Sequence, residues 1–236
     1  MHFKGIIFDL DDTLVEFGAL GHAVWEEVCD RYSQLHAGLD YQTLLDTVNR
    51  TANWYWSDPD RHKKGRNNMK QARRDVMELT FRTLGLDNLA LAHEIADEYT
   101  RERHDRVELF EDVPGVLSIL KKKYILILLT NGEQGTQRYK INKFQLDRTF
   151  EHIFVEGEVG YGKPEPEAYE NVLKTTGLTA GELCMVGDNL IWDVEGAQKM
   201  GIYSIWNDHK KQGLPPGSTI KPDLIITHVR ELLDVL

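Results

Sequence analysis

In Gly5-Ile6-Ile7-Phe8-Asp9-Leu10-Asp11-Asp12-Thr13-Leu14 a short apolar run ends in three carboxylates within four positions. A run this brief, bounded by charge, reads as a strand buried on both faces of a parallel sheet. Asp9 then stands where the strand emerges, and ligands of open α/β sheets gather at those carboxyl ends. If the chain turns there, one carboxylate and a nearby carbonyl can hold a hard cation such as Mg²⁺. A strand ending in a solvated acidic turn reads the same way from these ten residues, so the rest of the chain has to decide.

After Leu14 the pattern changes to amphipathic helix. Apolar residues recur through Val24, Trp25, Val28 and Cys29, then Leu44, Leu45 and Val48. Two further helical patterns run through Ala72, Val76, Leu79, Phe81 and Leu84, closed by Gly85, and through Leu89, Leu91, Ile95, Ala96 and Tyr99. From Leu109 strands and helices alternate. Apolar segments at 124–129, 153–155, 183–186, 202–206 and 224–226 are separated by helical patterns near 134–144, 165–175, 193–200 and 229–236, as in a doubly wound α/β fold. The expected architecture is therefore α/β: a Rossmann-like parallel sheet in three αβα layers, formed by 1–15 and 108–236, with an all-helical domain over 16–107 inserted after the first strand. Two domains joined by two stretches of chain would enclose a cleft.

Three further stretches end predicted strands with polar groups. Thr130-Asn131-Gly132 offers a hydroxyl and turning amides that suit an anion, although it is also an ordinary turn sequence. Gly160-Tyr161-Gly162-Lys163-Pro164 sets a lysine between glycines and a proline, where it is a positioned cation or a solvated loop residue. Val186-Gly187-Asp188-Asn189-Leu190-Ile191-Trp192-Asp193 repeats the strand-then-aspartate pattern of Asp9, and either aspartate can instead be a helix N-cap. The sheet would bring all four stretches to one edge.

The order Asp9-x-Asp11-x-Thr13, Thr130, Lys163-Pro164 and Gly187-Asp188-x-x-x-x-Asp193 resembles the haloacid dehalogenase superfamily of hydrolases along the whole chain. The helical insertion resembles that superfamily's cap of the first type, found in many small-molecule phosphatases. The resemblance implies Asp9 as nucleophile, Asp11 as general acid and base, Thr130 and Lys163 as phosphate holders with the Asn131 and Gly132 amides beside them, and Mg²⁺ bound among Asp9, Asp11, Asp188 and Asp193. Asp193 would reach the metal through water or orient Lys163. Asp12 replaces a glycine that often follows the second aspartate, a common variation.

Asp11 argues for phosphate esters, because an alkoxide needs a proton to leave and a halide does not. The expected activity is Mg²⁺-dependent hydrolysis of a phosphomonoester through an aspartyl-phosphate. A sugar-phosphate phosphomutase also keeps both aspartates, whereas a 2-haloacid dehalogenase lacks the second, and a non-catalytic binding protein would not need the motif set.

Composition narrows the partners. A net charge of −10 in 236 residues argues against nucleic acid and anionic membranes. No apolar stretch approaches the ~20 residues of a membrane helix, and Cys29 and Cys184 read as buried free thiols, so the cytoplasm is the expected compartment. A small phosphorylated metabolite is the expected partner, with the protein a monomer or homodimer. Its identity would be set by the helical domain. There Trp54-Tyr55-Trp56 can stack on a ring or pack between helices, and 61–74 holds Arg61, Lys63, Lys64, Arg66, Lys70, Arg73 and Arg74 with no acid after Arg61. That basic segment can steer phosphorylated compounds or form a solvated helix face, and His22 and Arg50 are further candidates for substrate contact.

Overall fold

The computed structural model describes residues 2–236, which divide into two compact units, 2–16 with 108–236, and Phe17–Val107. The first is built on six parallel strands. In chain order these are β1 (Gly5–Phe8), β4 (Ile125–Thr130), β5 (His152–Val155), β6 (Leu183–Gly187), β7 (Tyr203–Asn207) and β8 (Leu224–Ile226). Their order across the sheet is β5-β4-β1-β6-β7-β8, the Rossmann-like arrangement expected. Between β1 and β4 lie β2 (Val15–Glu16) and β3 (Glu108–Leu109), a two-residue antiparallel ladder pairing Val15 with Leu109 at the point where the chain leaves and re-enters this unit.

β1 is interior because it can be nothing else. All four of its residues are buried, Ile6, Ile7 and Phe8 completely. It pairs in parallel on both sides, Phe8 with Leu128 of β4 and with Val186 of β6. The shared register ends β1 level with Leu128 and Val186, and β4 and β6 run on to Thr130 and Gly187. Ile7, Ile127, Leu129, Met185, Tyr169 and Ile202 form part of the core on one face.

The second unit holds α1 (Gly18–Leu35), α2 (Tyr41–Ser57), α3 (Pro59–Arg66), α4 (Met69–Thr83) and α5 (Leu89–Arg106). Four of these begin at a side-chain cap: Asp40 accepts from Thr43 N at 2.9 Å, Asp58 from Arg61 N at 2.8 Å, Asn68 from Gln71 N at 3.3 Å and Asn88 from Leu91 N at 3.1 Å. Val24, Trp25, Val28, Leu44, Val48, Met77 and Ile95 close its core, and the Trp25 and Tyr99 rings stack with centroids 3.8 Å apart. Helix α3 was not expected. Its residues, PDRHKKGR, carry no apolar stripe, and it is recognisable only by its Asp58-Pro59 start. No helix among the described residues is long and apolar enough to cross a membrane.

In the first unit α6 (Val113–Leu120) precedes β4, α7 (Gln134–Lys143) follows it, and α8 (Glu156–Val159) and α9 (Pro166–Thr176) follow β5. The helix expected near 193–200 begins earlier as a π-helix, Leu190–Glu195, and runs into a four-residue α-helix, Gly196–Lys199. The C-terminal helix is likewise split into a 3-10 turn, Val229–Glu231, and a single α turn, Leu232–Val235. Cys29 and Cys184 are both buried free thiols.

Candidate active site

The end of β1 delivers Asp9, whose amide still donates to Val186 O at 2.9 Å, so its carboxylate emerges on strand geometry rather than from a free loop. Beside it lies Lys163, a lysine only 1% exposed. Its Nζ is 2.6 Å from Asp9 Oδ1 and 2.7 Å from Asp193 Oδ1. A buried ammonium is tolerated only with partners this close, and here they are two carboxylates from different strand ends. Lys163 is fixed through its backbone as well: Asn131 Oδ1 accepts from Lys163 N and Asn131 Nδ2 donates to Lys163 O, both at 2.7 Å.

The π-turn after β6 explains how Asp193 reaches this point. Asn189 caps it by accepting from Ile191 N and Trp192 N, each at 3.0 Å, while Asn189 N donates to Asp193 Oδ2 at 2.9 Å. Asp193 is thereby folded back over the strand end, and a Cβ on Gly187 would lie 2.2 Å from its Cγ. Only glycine fits there. Asp188, next in sequence, is held by its carbonyl, which accepts from Trp206 Nε1 of β7 at 2.7 Å.

Asp9, Asp188 and Asp193 each offer a carboxylate oxygen, and those oxygens all lie within 4.8 Å of one another. Three oxygen donors of one sign suit a hard divalent cation. The electrostatics agree. Burial pushes the Asp9 carboxyl up to about 7, with Lys163 opposing and Asp193 and Asp11 adding to the rise. Burial likewise lifts Asp188 well above the usual carboxylate range, helped by Asp9, Asp193 and Asp12. Burial works against the Lys163 ammonium, but Asp193 and then Asp9 outweigh it and its proton is held more tightly than usual. One fixed cation among these carboxylates leaves negative charge that a second cation would neutralise.

The remaining expected residues are placed differently. Asp11 is not in the three-carboxylate cluster: Lys140 Nζ lies 2.5 and 2.6 Å from its two oxygens and Gln137 Nε2 3.1 Å from Oδ2. Thr130, buried at the end of β4, accepts from Gln137 Nε2 at 2.6 Å. Gly132 was expected to donate to an anion, but its single amide proton goes to Glu156 Oε2 at 2.8 Å, which leaves none for phosphate. The side chain of Asn131 is similarly spent on the Lys163 backbone. Asp12 sits at φ 58°, in the left-handed region that glycine enters freely and aspartate tolerates, which accounts for the glycine often found at this position.

Gln137, Lys140 and Glu156 are polar, buried and unforeseen. The sequence does not mark them: the buried face of α7 is Thr136, Gln137, Lys140 and Ile141, where an ordinary amphipathic helix would set apolar residues. In the helical unit Tyr55 packs with Ala72, Val76 and Trp56, the packing alternative for that aromatic triplet, whereas Trp54 is 52% exposed with Arg61 lying 3.8 Å over its ring. Lys63, Lys64, His22 and Arg50 are exposed.

Comparison with known proteins adds an independent line. The family model for haloacid dehalogenase-like hydrolases matches residues 3–201. The N-acylneuraminate-9-phosphatase of Rattus norvegicus is 28% identical, the match covering 97% of this chain and 92% of that protein. The phosphoserine phosphatase of Thermus thermophilus is 28% identical, with 97% of each chain covered. Among solved structures, the magnesium-bound HAD-hydrolase YfnB of Bacillus subtilis superposes with a TM-score of 0.78 at 20% identity, covering 100% of this chain and 99% of that one.

Proposed function

We propose that the reaction is hydrolysis of small phosphomonoesters with Mg²⁺ as cofactor, since the chain belongs to the haloacid dehalogenase-like hydrolases and its site joins a buried carboxylate to a fixed lysine and a three-carboxylate cluster. The relatives named as phosphatases support a hydrolase that acts on phosphate esters. The observation that carries the reading is the buried Lys163 ammonium bridging Asp9 and Asp193 at 2.6 and 2.7 Å. It favours the ionised form of Asp9 against the effect of burial and stands where a phosphoryl oxygen would share its charge.

Asp9 Oδ attacks phosphorus, the bond from phosphorus to the ester oxygen breaks, and its electron pair leaves with that oxygen, which takes a proton from Asp11. Asp11, now a carboxylate, accepts a proton from the water that attacks the aspartyl-phosphate, and inorganic phosphate departs. Positioned acid–base help of this kind is worth about 10²–10⁴-fold. Lys163 and the Thr130 hydroxyl hold the phosphoryl group, and Asp193 orients Lys163 through the bond described. Asp9, Asp188 and Asp193 would hold Mg²⁺, which when bound supplies charge neutralisation for the transferring phosphoryl group.

We assign substrate choice to the helical unit, as a cap, because the groups gathered in the sheet unit address only phosphate. The exposed Trp54 with Arg61 above it, and the exposed Lys63 and Lys64, are its candidates for recognising the remainder of the substrate, whereas Arg73 is buried and Arg74 is paired with Asp97. Phosphate release from a panel of nucleoside monophosphates, sugar phosphates and phospho-acids, with Mg²⁺ or with EDTA, tests the reading in wild type and Asp9→Asn side by side. Release should require the metal and fall at least ~10³-fold in the variant, as expected when a nucleophile is removed. Release that survives Asp9→Asn would sink it.

A further inference from the structure

The reaction as described leaves two buried residues of α7 without a task. Lys140 is 2% exposed, yet its ammonium is clamped on both oxygens of Asp11, at 2.5 and 2.6 Å. Gln137, also 2% exposed, brings Nε2 to Asp11 Oδ2 at 3.1 Å, Thr130 Oγ1 at 2.6 Å and Asn131 O at 2.8 Å. A primary amide has two N–H hydrogens, so three acceptors converge on fewer donors, and Gln137 is the hub between them. These residues stand three apart, on one face of one helix.

A Leu or Met at position 140 would fill the same space without the cost of burying an ammonium, so packing alone does not call for lysine. What the pair does is remove freedom. The Asp11 side chain is 28% exposed, and a carboxylate at the rim of a site turns about its two side-chain bonds unless something holds it. Lys140 grips both oxygens, and Gln137 ties one of them to the hydroxyl and carbonyl at the end of β4. The group that handles the leaving oxygen and the group that holds phosphate are thus registered against each other by one helix.

We propose that Lys140 and Gln137 are positioning residues that hold the Asp11 carboxyl group in the orientation from which it serves the leaving oxygen. The proposal rests on the reading of Asp11 as general acid and base. It differs from two plainer roles: a cation that merely attracts phosphate would act on KM, and an internal prop would slow all substrates alike.

The test compares kcat/KM for two leaving groups, because kcat/KM reports the steps up to departure of the leaving group. One is the best alkyl phosphate of the panel, whose alkoxide must be protonated. The other is p-nitrophenyl phosphate, whose phenolate leaves without a proton. In Lys140→Met, kcat/KM should fall about 10-fold or more further on the alkyl phosphate than on the aryl one, within the range of general acid catalysis, with KM for the alkyl phosphate little changed. A burst of p-nitrophenolate should appear as the aspartyl-phosphate accumulates, and Lys140→Arg should restore most of the alkyl rate. Equal losses on both substrates, or a loss confined to KM, would overturn the proposal. If Lys140→Met does not fold, Gln137→Leu carries the same comparison, since it leaves no buried charge unpaired. Asp11→Asn run beside them separates the two layers. If it shows the leaving-group discrimination and the α7 variants do not, the positioning role is refuted and the acid–base role stands. If Asp11→Asn shows none, the acid–base role fails and this inference with it.

Discussion

Asp9 is held between two opposed influences, burial that favours its neutral form and Lys163 that favours its charge, and the balance is visible as a carboxyl pushed up to about 7 from an ordinary 3.8. A raised value means that the folded state binds this proton more tightly than the unfolded chain does. The stability linked to it is complete below about pH 4 and is lost as the pH rises towards 7. In the absence of metal, Asp9→Asn should therefore be more stable than wild type at pH 7, by about 1–2 kcal/mol, while the two should converge near pH 4. Thermal melts of both proteins across that window in EDTA check it, and parallel curves would contradict the burial argument. Mg²⁺ should reverse the ranking at pH 7, raising the melting temperature of wild type but not of the variant. Much of this residue-scale picture was legible from sequence, because Asp9, Thr130, Lys163, Asp188 and Asp193 stand at or just beyond the ends of apolar runs that only a parallel sheet brings together. Gln137 and Lys140 were not, because a polar residue on a polar-looking helix gives no sign of being buried until the sheet beneath it is known. Gly132 shows the converse: its turn chemistry was plain, but the carboxylate that claims its amide comes from Glu156, 24 residues on.

At the scale of elements, the parallel sheet followed from the apolar runs, whereas its strand order and the irregular pieces came only with the structure. The π-turn at Leu190–Glu195 exists because Asn189 and Asp193 satisfy its first amides and fold the carboxylate over Gly187, a tertiary arrangement with no periodicity to betray it. Gly187→Ala should therefore cost both stability and activity. Its Cβ would overlap Asp193 Cγ at 2.2 Å, so the turn must shift and Lys163 loses one of its two carboxylates. We expect about 3 kcal/mol of destabilisation and a fall of at least ~10²-fold in kcat/KM, comparable to losing a preorganised electrostatic contact, measured by urea melts and phosphate release. Wild-type behaviour would mean that the π-turn is not required for placing Asp193. Helix α3 makes the same point in the other unit: Asp58 and Pro59 announce a start, but Gly65, whose Cβ would sit 2.7 Å from Tyr55 Cε1, shows that the charged segment also packs closely.

The molecule as a whole consists of two compact units with separate cores, and the carboxylates gathered for a cation all belong to one of them. Mg²⁺ should accordingly slow hydrogen exchange at the ends of β1 and β6 while leaving the amides of α1 to α5 nearly unchanged, since a ligand protects the cooperative unit that binds it. Equal protection in both would show that they unfold together. The divided path of the sheet unit also bears on the order of biosynthesis. β1 precedes both of its hydrogen-bonding partners in the chain, β4 and β6, the latter ending at Gly187. The helical unit is continuous in sequence and able to collapse as soon as it emerges. The strand that carries Asp9 is thus made before the neighbours that seat it, an apolar segment waiting while the helical unit and the later strands are added, and a nascent chain released before β6 has no place to put Asp9.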